Sequence, residues 1–553
     1  MDSSIRPNEP CDVLVIGAGA AGGAMAWRLA QGGLKVVCLE QGGWVDWAND
    51  APTATFDWEL IRETERHPNP NVRRHRWDYP VEDSETDIRP MMWNGVGGSL
   101  VHWGAHFPRF RPSDFKVKSL DGVADDWPLD YWELERYYDL NDSLIGVSGL
   151  AGDPGNPTRS PRQTPPIPPG RGGTIMAQAF DRLGWHWWLP DLALNSEPWG
   201  GRGACNHCGP CDLGCPQRAR VSTDVTYWPL AIELGAELRT ECRVSAITTD
   251  EHGRATGATY FDRDGRLIHQ RAAAVALCAN GVGTPRLLLL SASKQHPDGL
   301  ANSSGLVGKY LMHHPTGFVT GVFDEMLEDW KGDFAAAIVC QHFYETDPSR
   351  GFHRGFQMQC VRAAGGPVGT ACGQYVARIP WGDEHHARFA EQFGRTVSLT
   401  VTSEDLPEAT NRVTLDPELV DGDGIPAPKL HYRVGENTRK MIAWGVERAV
   451  EAFEEAGAKR IVTQQLVESA GFHFLGTTRM GDDPATSVLD RWGRAHDCPN
   501  LWVAGGSVFV TGAGLNPTST IMALALRSAD DILAKAKGGL GATGSGAGTE
   551  VAA

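Results

Sequence analysis

Gly17, Gly19 and Gly22 stand in the spacing G-x-G-x-x-G, directly after the apolar run Val13-Leu-Val-Ile16 and just ahead of Ala24 to Leu29. The apolar run reads as a strand buried on both faces and the stretch after the glycines as a helix. In such a unit the first glycine makes a tight turn, the second lets backbone approach a pyrophosphate, and the third packs helix close on strand. The helix start then aims unpaired N–H groups and a positive dipole end at phosphate. A second strand, Lys35 to Leu39, ends on Glu40, 18 residues past Gly22, close to the roughly 20 expected of an acid that binds a ribose 2′-hydroxyl. That acid would repel a 2′-phosphate, which argues against NADP. A glycine turn alone can arise between any strand and helix. Strand, glycines, helix, second strand and terminal acid together point to a dinucleotide, without separating NAD from FAD.

The second cluster is Cys205-Asn-His-Cys-Gly-Pro-Cys-Asp-Leu-Gly-Cys-Pro216. Its spacing, C-x₂-C-x₂-C-x₃-C-P, is that of the iron–sulfur run of bacterial ferredoxins. In two-cluster ferredoxins the fourth cysteine serves the other cluster, and no second run exists in this chain. Cys205, Cys208, Cys211 and Cys215 would therefore hold one 4Fe–4S centre, or three of them a 3Fe–4S centre. A structural zinc on four thiolates and a metal-free loop of reduced cysteines are the competing readings. The other eight of the 12 cysteines are scattered, many in apolar runs, and read as inert small hydrophobes.

These residues sit in a chain of 553 residues with a formal charge of −17. The length asks for two to four domains. The acidity, and the lack of any basic cluster, exclude nucleic acid as a partner. No apolar run nears the about 18 residues that a membrane-spanning helix needs. The start of the chain has neither a hydrophobic signal segment nor a twin arginine. The expectation is a cytoplasmic protein, or a periplasmic one only if co-exported with a signal-bearing partner. The absence of a secretory signal also argues against a disulfide framework.

The elements that must position the clusters are α/β (α+β overall): a Rossmann-like dinucleotide-binding domain with an inserted substrate domain on an antiparallel sheet. Residues 8–45, 90–150, 200–315 and 495–537 are expected to form the first, with 200–220 as a cysteine-rich loop. Residues 46–89, 151–199 and 316–494 would form the cap and substrate domain. Alternating runs such as Phe318 to Phe323 and Thr396 to Thr402, and the amphipathic helix Thr438 to Ala456, mark the insert. The Gly/Ala/Ser tail 538–553 is expected to be disordered.

The stretch Asn94-Gly-Val-Gly-Gly-Ser99 followed by His102-Trp103 resembles a signature of the glucose–methanol–choline (GMC) flavoprotein oxidoreductases, and the resemblance extends over nearly the whole chain. It implies FAD rather than NAD. By its pattern Asn94, Gly97, Gly98 and Ser99 line the flavin. His102 falls where pyranose oxidases can carry flavin covalently. Val244 contacts the adenine through backbone. Ala279 opens the adenosine turn Ala279-Asn-Gly-Val-Gly-Thr-Pro285, in which Asn280 replaces the family's first Gly. The glycine-rich return from Leu501 to Ile532 brings Gly505, Gly506, Pro517 and Thr518 to the cofactor.

The same resemblance makes His473, in Gly471-Phe-His-Phe-Leu-Gly476, the active-site histidine, and Asn516, 43 residues on, its partner. An imidazole with an ordinary pKa of about 6.5 can take a hydroxyl proton near neutrality, and a neutral amide can orient the same hydroxyl. His313 and His314 lie in a motif that is mostly structural in the family and are left out of the site. The closest likeness is to sugar dehydrogenase large subunits of the gluconate, fructose and glucoside type, and to pyranose oxidases. It implies oxidation of a sugar or glycoside hydroxyl to a carbonyl. Electrons would pass through the iron–sulfur cluster to an acceptor other than dioxygen, with a small subunit and a cytochrome c-type protein as partners. A peroxide-forming oxidase and a non-catalytic electron-transfer subunit are the alternatives.

Overall fold

The computed structural model describes residues 9–46, 59–60, 64–332, 336–362, 366–373 and 379–539. The N-terminal residues 1–8 and all but the first two residues of the expected tail lie outside them.

The strand Cys11–Ile16 pairs in parallel with Val36–Leu39 on one side and with the end of Leu267–Leu277 on the other. Glu237–Arg239 extends this parallel sheet beyond Val36–Leu39, and Leu501–Val503 pairs with Val275 to Leu277. The first half of Leu267–Leu277 instead forms an antiparallel ladder with Ala255–Phe261, which pairs in turn with Arg243–Thr249. The seven strands make one sheet. Val13, Leu14, Val36, Val37, Val275 and Ala276 are fully buried, as continuous apolar strands covered on both faces must be. Helix Ala20–Gln31 packs on Thr518–Ala536, and both are rich in small buried residues. An Arg28–Asp530 ion pair at 2.7 Å joins the two at the surface.

The second sheet is antiparallel, in the order Arg460–Gln464, Thr316–Val322, Thr396–Ser403, Phe356–Val361, Val339–Cys340, Trp187–Trp188. Helix Glu436–Glu455 packs on it with Met441, Ile442, Val446, Ala449 and Phe453 buried. A third, mixed sheet pairs Arg412–Val420 with Pro426–Tyr432 and adds Glu82–Thr86 in parallel. The insert was expected to hold a single sheet. The strand Glu82-Asp-Ser-Glu-Thr86 has no apolar alternation because it is a half-exposed edge, held by side-chain ion pairs such as Lys429–Glu85 at 2.7 Å.

Two hydrophobic cores underlie these sheets, and they share the chain unevenly. Leu475, Met480, Val488 and Leu489 pack in the core of the parallel sheet, while Met92 and Val282 pack in that of the antiparallel sheet. The domains therefore interlock where the cofactor and substrate ends of a site would meet. Among the described residues no helix is long and apolar enough to cross a membrane.

Candidate active site

The glycine turn, the segments 93–100 and 279–287 and the start of the last helix enclose a cleft of about 1300 Å³, open mouth included. Gly17, Gly19, Glu40, Asn94, Gly98, Ser99, Val244, Ala279, Gly505, Gly506, Pro517, Thr518 and His473 line it. Gly17 has φ +98°, and a Cβ there would meet the Cys278 carbonyl oxygen at 2.6 Å. Gly22 is not at the cleft surface; its Cβ would lie 1.9 Å from the Gly17 carbonyl oxygen, so it acts on helix–strand packing. Gly98 crosses Gly19 with an added Cβ only 2.8 Å from the Gly19 Cα. The two loops thus present a flat wall of bare backbone, a cradle that any side chain would fill.

Glu40 is buried, its Oε2 accepting the Ala18 N–H at 2.8 Å and its Oε1 the Gly42 N–H at 2.9 Å. Burial pushes its pKa up to about 7. Each oxygen keeps acceptor capacity for a ribose hydroxyl. Asn280 departs from the family's glycine at φ +58°, a left-handed conformation that Asn tolerates better than most residues. Its Oδ1 accepts the N–H groups of Val282 and Gly283 at 2.8 and 3.0 Å. The residues present fit FAD.

Gly97 (φ +98°) turns the 94–99 loop, the expected flavin-side loop, and a Cβ there would meet Asp224 Oδ1 at 2.9 Å. His102 does not line the cleft. It is buried edge-on to Trp93, ring centroids 4.6 Å apart, and its Nδ1 donates to the Asp212 carbonyl at 2.8 Å. It ties the flavin-side loop to the cysteine loop. Arg220 does the same, donating to the carbonyls of Leu100 and Val101.

The cysteine loop itself assembles no ligand set: among the described residues no three His, Cys, Asp or Glu side chains are grouped so as to hold a metal ion. The loop bends at His207, Gly209 and Gly214, with φ of 58°, 104° and 120°, and successive thiols end in different surroundings. Cys208 is exposed, Cys211 buried, Cys205 and Cys215 half-buried. Cys205 Sγ accepts the His207 N–H and Cys215 Sγ the Arg220 N–H, each at 3.4 Å. The iron–sulfur expectation and the zinc alternative therefore find no support in this arrangement.

His473 lines the cleft beside Phe472, which is 47% exposed at the cleft surface. Its Nδ1 lies 2.7 Å from Nδ1 of His314. His314 is fully buried, and its Nε2 contacts the carbonyl oxygens of Gly512 and Ala513 at 3.0 and 2.8 Å. Carbonyls only accept, so Nε2 of His314 carries the proton. Burial lowers the His314 pKa to about 4, so the ring is neutral and its Nδ1 is a bare acceptor. His473 must then donate from Nδ1 and present an unprotonated Nε2. Burial holds His473 well below the ordinary histidine range. Sequence reasoning missed His314. It stands in a motif that is mostly structural in the family and was left out of the site on that ground.

Asn516 is half-buried and stands just off the cleft, before Pro517 and Thr518. Gln357 and Gln359 both donate to its Oδ1, at 3.1 and 2.6 Å. Gln357 Oε1 in turn lies 3.4 Å from His106 Nε2. His473 and Asn516 are thus joined through His314, which bonds the carbonyls three and four residues before Asn516.

Models of known families match this chain as GMC oxidoreductase over residues 191–316 and 407–525, and as FAD binding domain over residues 12–55. It is 44% identical to a 2-methyl-1,2-propanediol dehydrogenase of Mycolicibacterium austroafricanum, over 95% of each chain. It is 31% identical to the fructose dehydrogenase large subunit of Gluconobacter japonicus, over 96% of this chain and 98% of that one. The fold superposes on pyridoxine 4-oxidase from Mesorbium loti with a TM-score of 0.63 at 16% identity, covering 94% of this chain and 99% of the other. With the glycine-walled cleft and its histidine pair, these matches make the chain an FAD-dependent enzyme of the GMC oxidoreductase family.

Proposed function

We propose that the enzyme oxidises a hydroxyl of a small polyol or sugar-type alcohol to the carbonyl, with His473 as base and Asn516 holding the reacting oxygen. One observation carries this reading: the hydrogen-bond partners of His314 leave His473 Nε2 unprotonated on the wall of the cleft. A neutral imidazole accepts the hydroxyl proton without needing a charged partner in a buried site. Bound FAD would supply the two-electron chemistry, taking the carbon-bound hydrogen with its electron pair. Gly17, Gly19 and Glu40 would hold its dinucleotide end, Asn94, Gly98 and Ser99 its ring. The start of helix Thr518–Ala536 faces the cleft with unpaired N–H groups, which favour negative charge.

The names of the two relatives, one for a small diol and one for a sugar, support a polyhydroxy substrate. Both are dehydrogenases, which supports an acceptor other than dioxygen, and the second is a large subunit, which supports a partner protein. An iron–sulfur exit through Cys205, Cys208, Cys211 and Cys215 is not part of this reading.

The test is an anaerobic screen of diols, sugars and glycosides for bleaching of the flavin, repeated with an artificial dye as acceptor and with peroxide detection in air. Bleaching by at least one polyol, dye reduction and little peroxide are expected. A flavin that no alcohol bleaches would overturn the proposal, and stoichiometric peroxide would replace the dehydrogenase with an oxidase. Iron and acid-labile sulfide at cluster levels in the anaerobically purified protein would restore the cysteine loop as an electron exit.

A further inference from the structure

The strand Phe356-Gln-Met-Gln-Cys-Val361 places Phe356, Met358 and Cys360 in the hydrophobic core. Alternation puts Gln357 and Gln359 together on the opposite face, yet they too are buried, at 0% and 7% exposure. Two buried amides are costly unless hydrogen-bonded. These two converge on one atom, Asn516 Oδ1.

Which end of each amide points where is decided from the rim. A guanidinium cannot accept, so the 2.7 Å contact from Arg111 Nη2 fixes the facing atom of Gln341 as its oxygen. Gln341 then offers Nε2, which lies 3.5 Å from Gln357 Oε1. With its oxygen turned that way, Gln357 directs Nε2 at Asn516 Oδ1. Arg111 is itself held over the Tyr344 ring at 4.3 Å and beside Glu345 at 3.4 Å. Gln359 adds a second donor to the same Asn516 oxygen at 2.6 Å. Both lone pairs of Oδ1 are then engaged, and Asn516 has only Nδ2–H₂ left to offer.

We infer that Gln359 and Gln357, the latter oriented from Arg111 through Gln341, are positioning residues that make Asn516 a donor toward the substrate oxygen. The inference rests on the proposed alcohol oxidation. It gives the site one acceptor, His473 Nε2, and one donor, Asn516 Nδ2. A hydroxyl satisfies both, and as its proton moves to His473 the oxygen gains negative charge that the Asn516 N–H stabilises. The donor would therefore be worth more in the transition state than in the bound substrate, the signature of an oxyanion-type contact.

The test replaces Gln359 in the flavin-loaded enzyme. A Gln359→Glu carboxylate accepts but does not donate, so Asn516 should turn its Nδ2 inward and its oxygen outward. Flavin reduction in single turnover should fall roughly 10²-fold, the loss typical of one oxyanion donor, with KM changed little. Gln359→Met should lose less, because Gln357 still donates. In an Asn516→Ala background, Gln359→Glu should add no further loss. Undiminished reduction in Gln359→Glu, or an equal loss in the Asn516→Ala background, would overturn the inference. Neutron diffraction from a deuterated crystal of the wild-type holoenzyme reads the same point without turnover. Two deuterons are expected on the Asn516 atom that faces away from Gln359; deuterons facing Gln359 would refute the assignment. If no alcohol reduces the wild-type flavin, the functional reading fails while the neutron map still decides the amide.

Discussion

His473 and His314 meet nitrogen to nitrogen, Nδ1 to Nδ1, at 2.7 Å, although 159 residues separate them. One of the two atoms must carry the proton, and the backbone carbonyls behind His314 decide that it is His473 Nδ1. The base is thus wired from behind by a residue that leads into the strand Thr316–Val322 of the antiparallel sheet.

Replacing His473 with Ala should leave FAD bound and stop its reduction. A general base contributes about 10²–10⁴-fold, so single-turnover reduction by the best alcohol should fall at least that far while the visible flavin spectrum is kept. Near-normal reduction would remove His473 from the mechanism.

His314→Phe should separate wiring from chemistry. It removes the acceptor for His473 Nδ1–H, and a loss of roughly 10–100-fold is expected, the range carried by partners that orient functional histidines elsewhere. The pH profile adds a second readout. The base works unprotonated, and His473 is held well below 6.5 chiefly by burial. In the wild type kcat/KM should therefore stay level from neutrality down past pH 6.5 and fall only in more acid solution. In His314→Phe the neutral acceptor that favours the His473 imidazolium is gone while burial remains, so the acid limb should move down in pH. A limb that stays put would argue that the two imidazoles do not interact.

Gly22→Ala tests the glycine turn without touching the cleft surface. Its Cβ would lie 1.9 Å from the Gly17 carbonyl oxygen, so the turn must open. Purified variant should carry less flavin per chain, read as the ratio of visible to ultraviolet absorbance. Full occupancy would show that the turn tolerates the methyl group.

Arg354 sits 1% exposed between Asp114 at 2.7 Å, Glu404 at 2.8 Å and Asp121 at 3.0 Å. It clamps the antiparallel sheet to the segment after the flavin-side loop. Arg354→Met would strand buried carboxylates, a change that costs about 3–5 kcal/mol. Thermal unfolding should come markedly earlier, and adding Asp114→Asn and Glu404→Gln to Arg354→Met should recover part of the loss. An unchanged midpoint would show that the clamp is idle.

What was legible in the sequence was what is local. The glycine turn, its strands and Glu40 lie within one short stretch whose spacing is itself the geometry, and most of the expected cofactor residues do line the cleft. The strand 82–86 was not legible because an edge strand of acids and hydroxyls carries no apolar rhythm. His314 was set aside with a motif that is mostly structural in the family, since nothing near it in the chain names His473 as its partner. Gln357 and Gln359 alternate visibly with core residues, but their common target lies 157 residues or more away. The cysteine spacing was legible too, but spacing limits only which sulfurs can meet, and among the described residues no three metal-ligating side chains are grouped.

The strand Leu267–Leu277 changes its bonding partway along, antiparallel to Ala255–Phe261 at first and parallel to two strands at its end. Its last amides lie between neighbours on both sides, whereas residues 267–271 are paired on one side alone. Cooperative opening tends to follow such changes in pairing, which makes this strand a seam between an outer hairpin and the parallel centre. Val244 rides on the outer part and Gly17 on the centre, so amide exchange should come first at the Val244 end of the cleft and last beside Gly17.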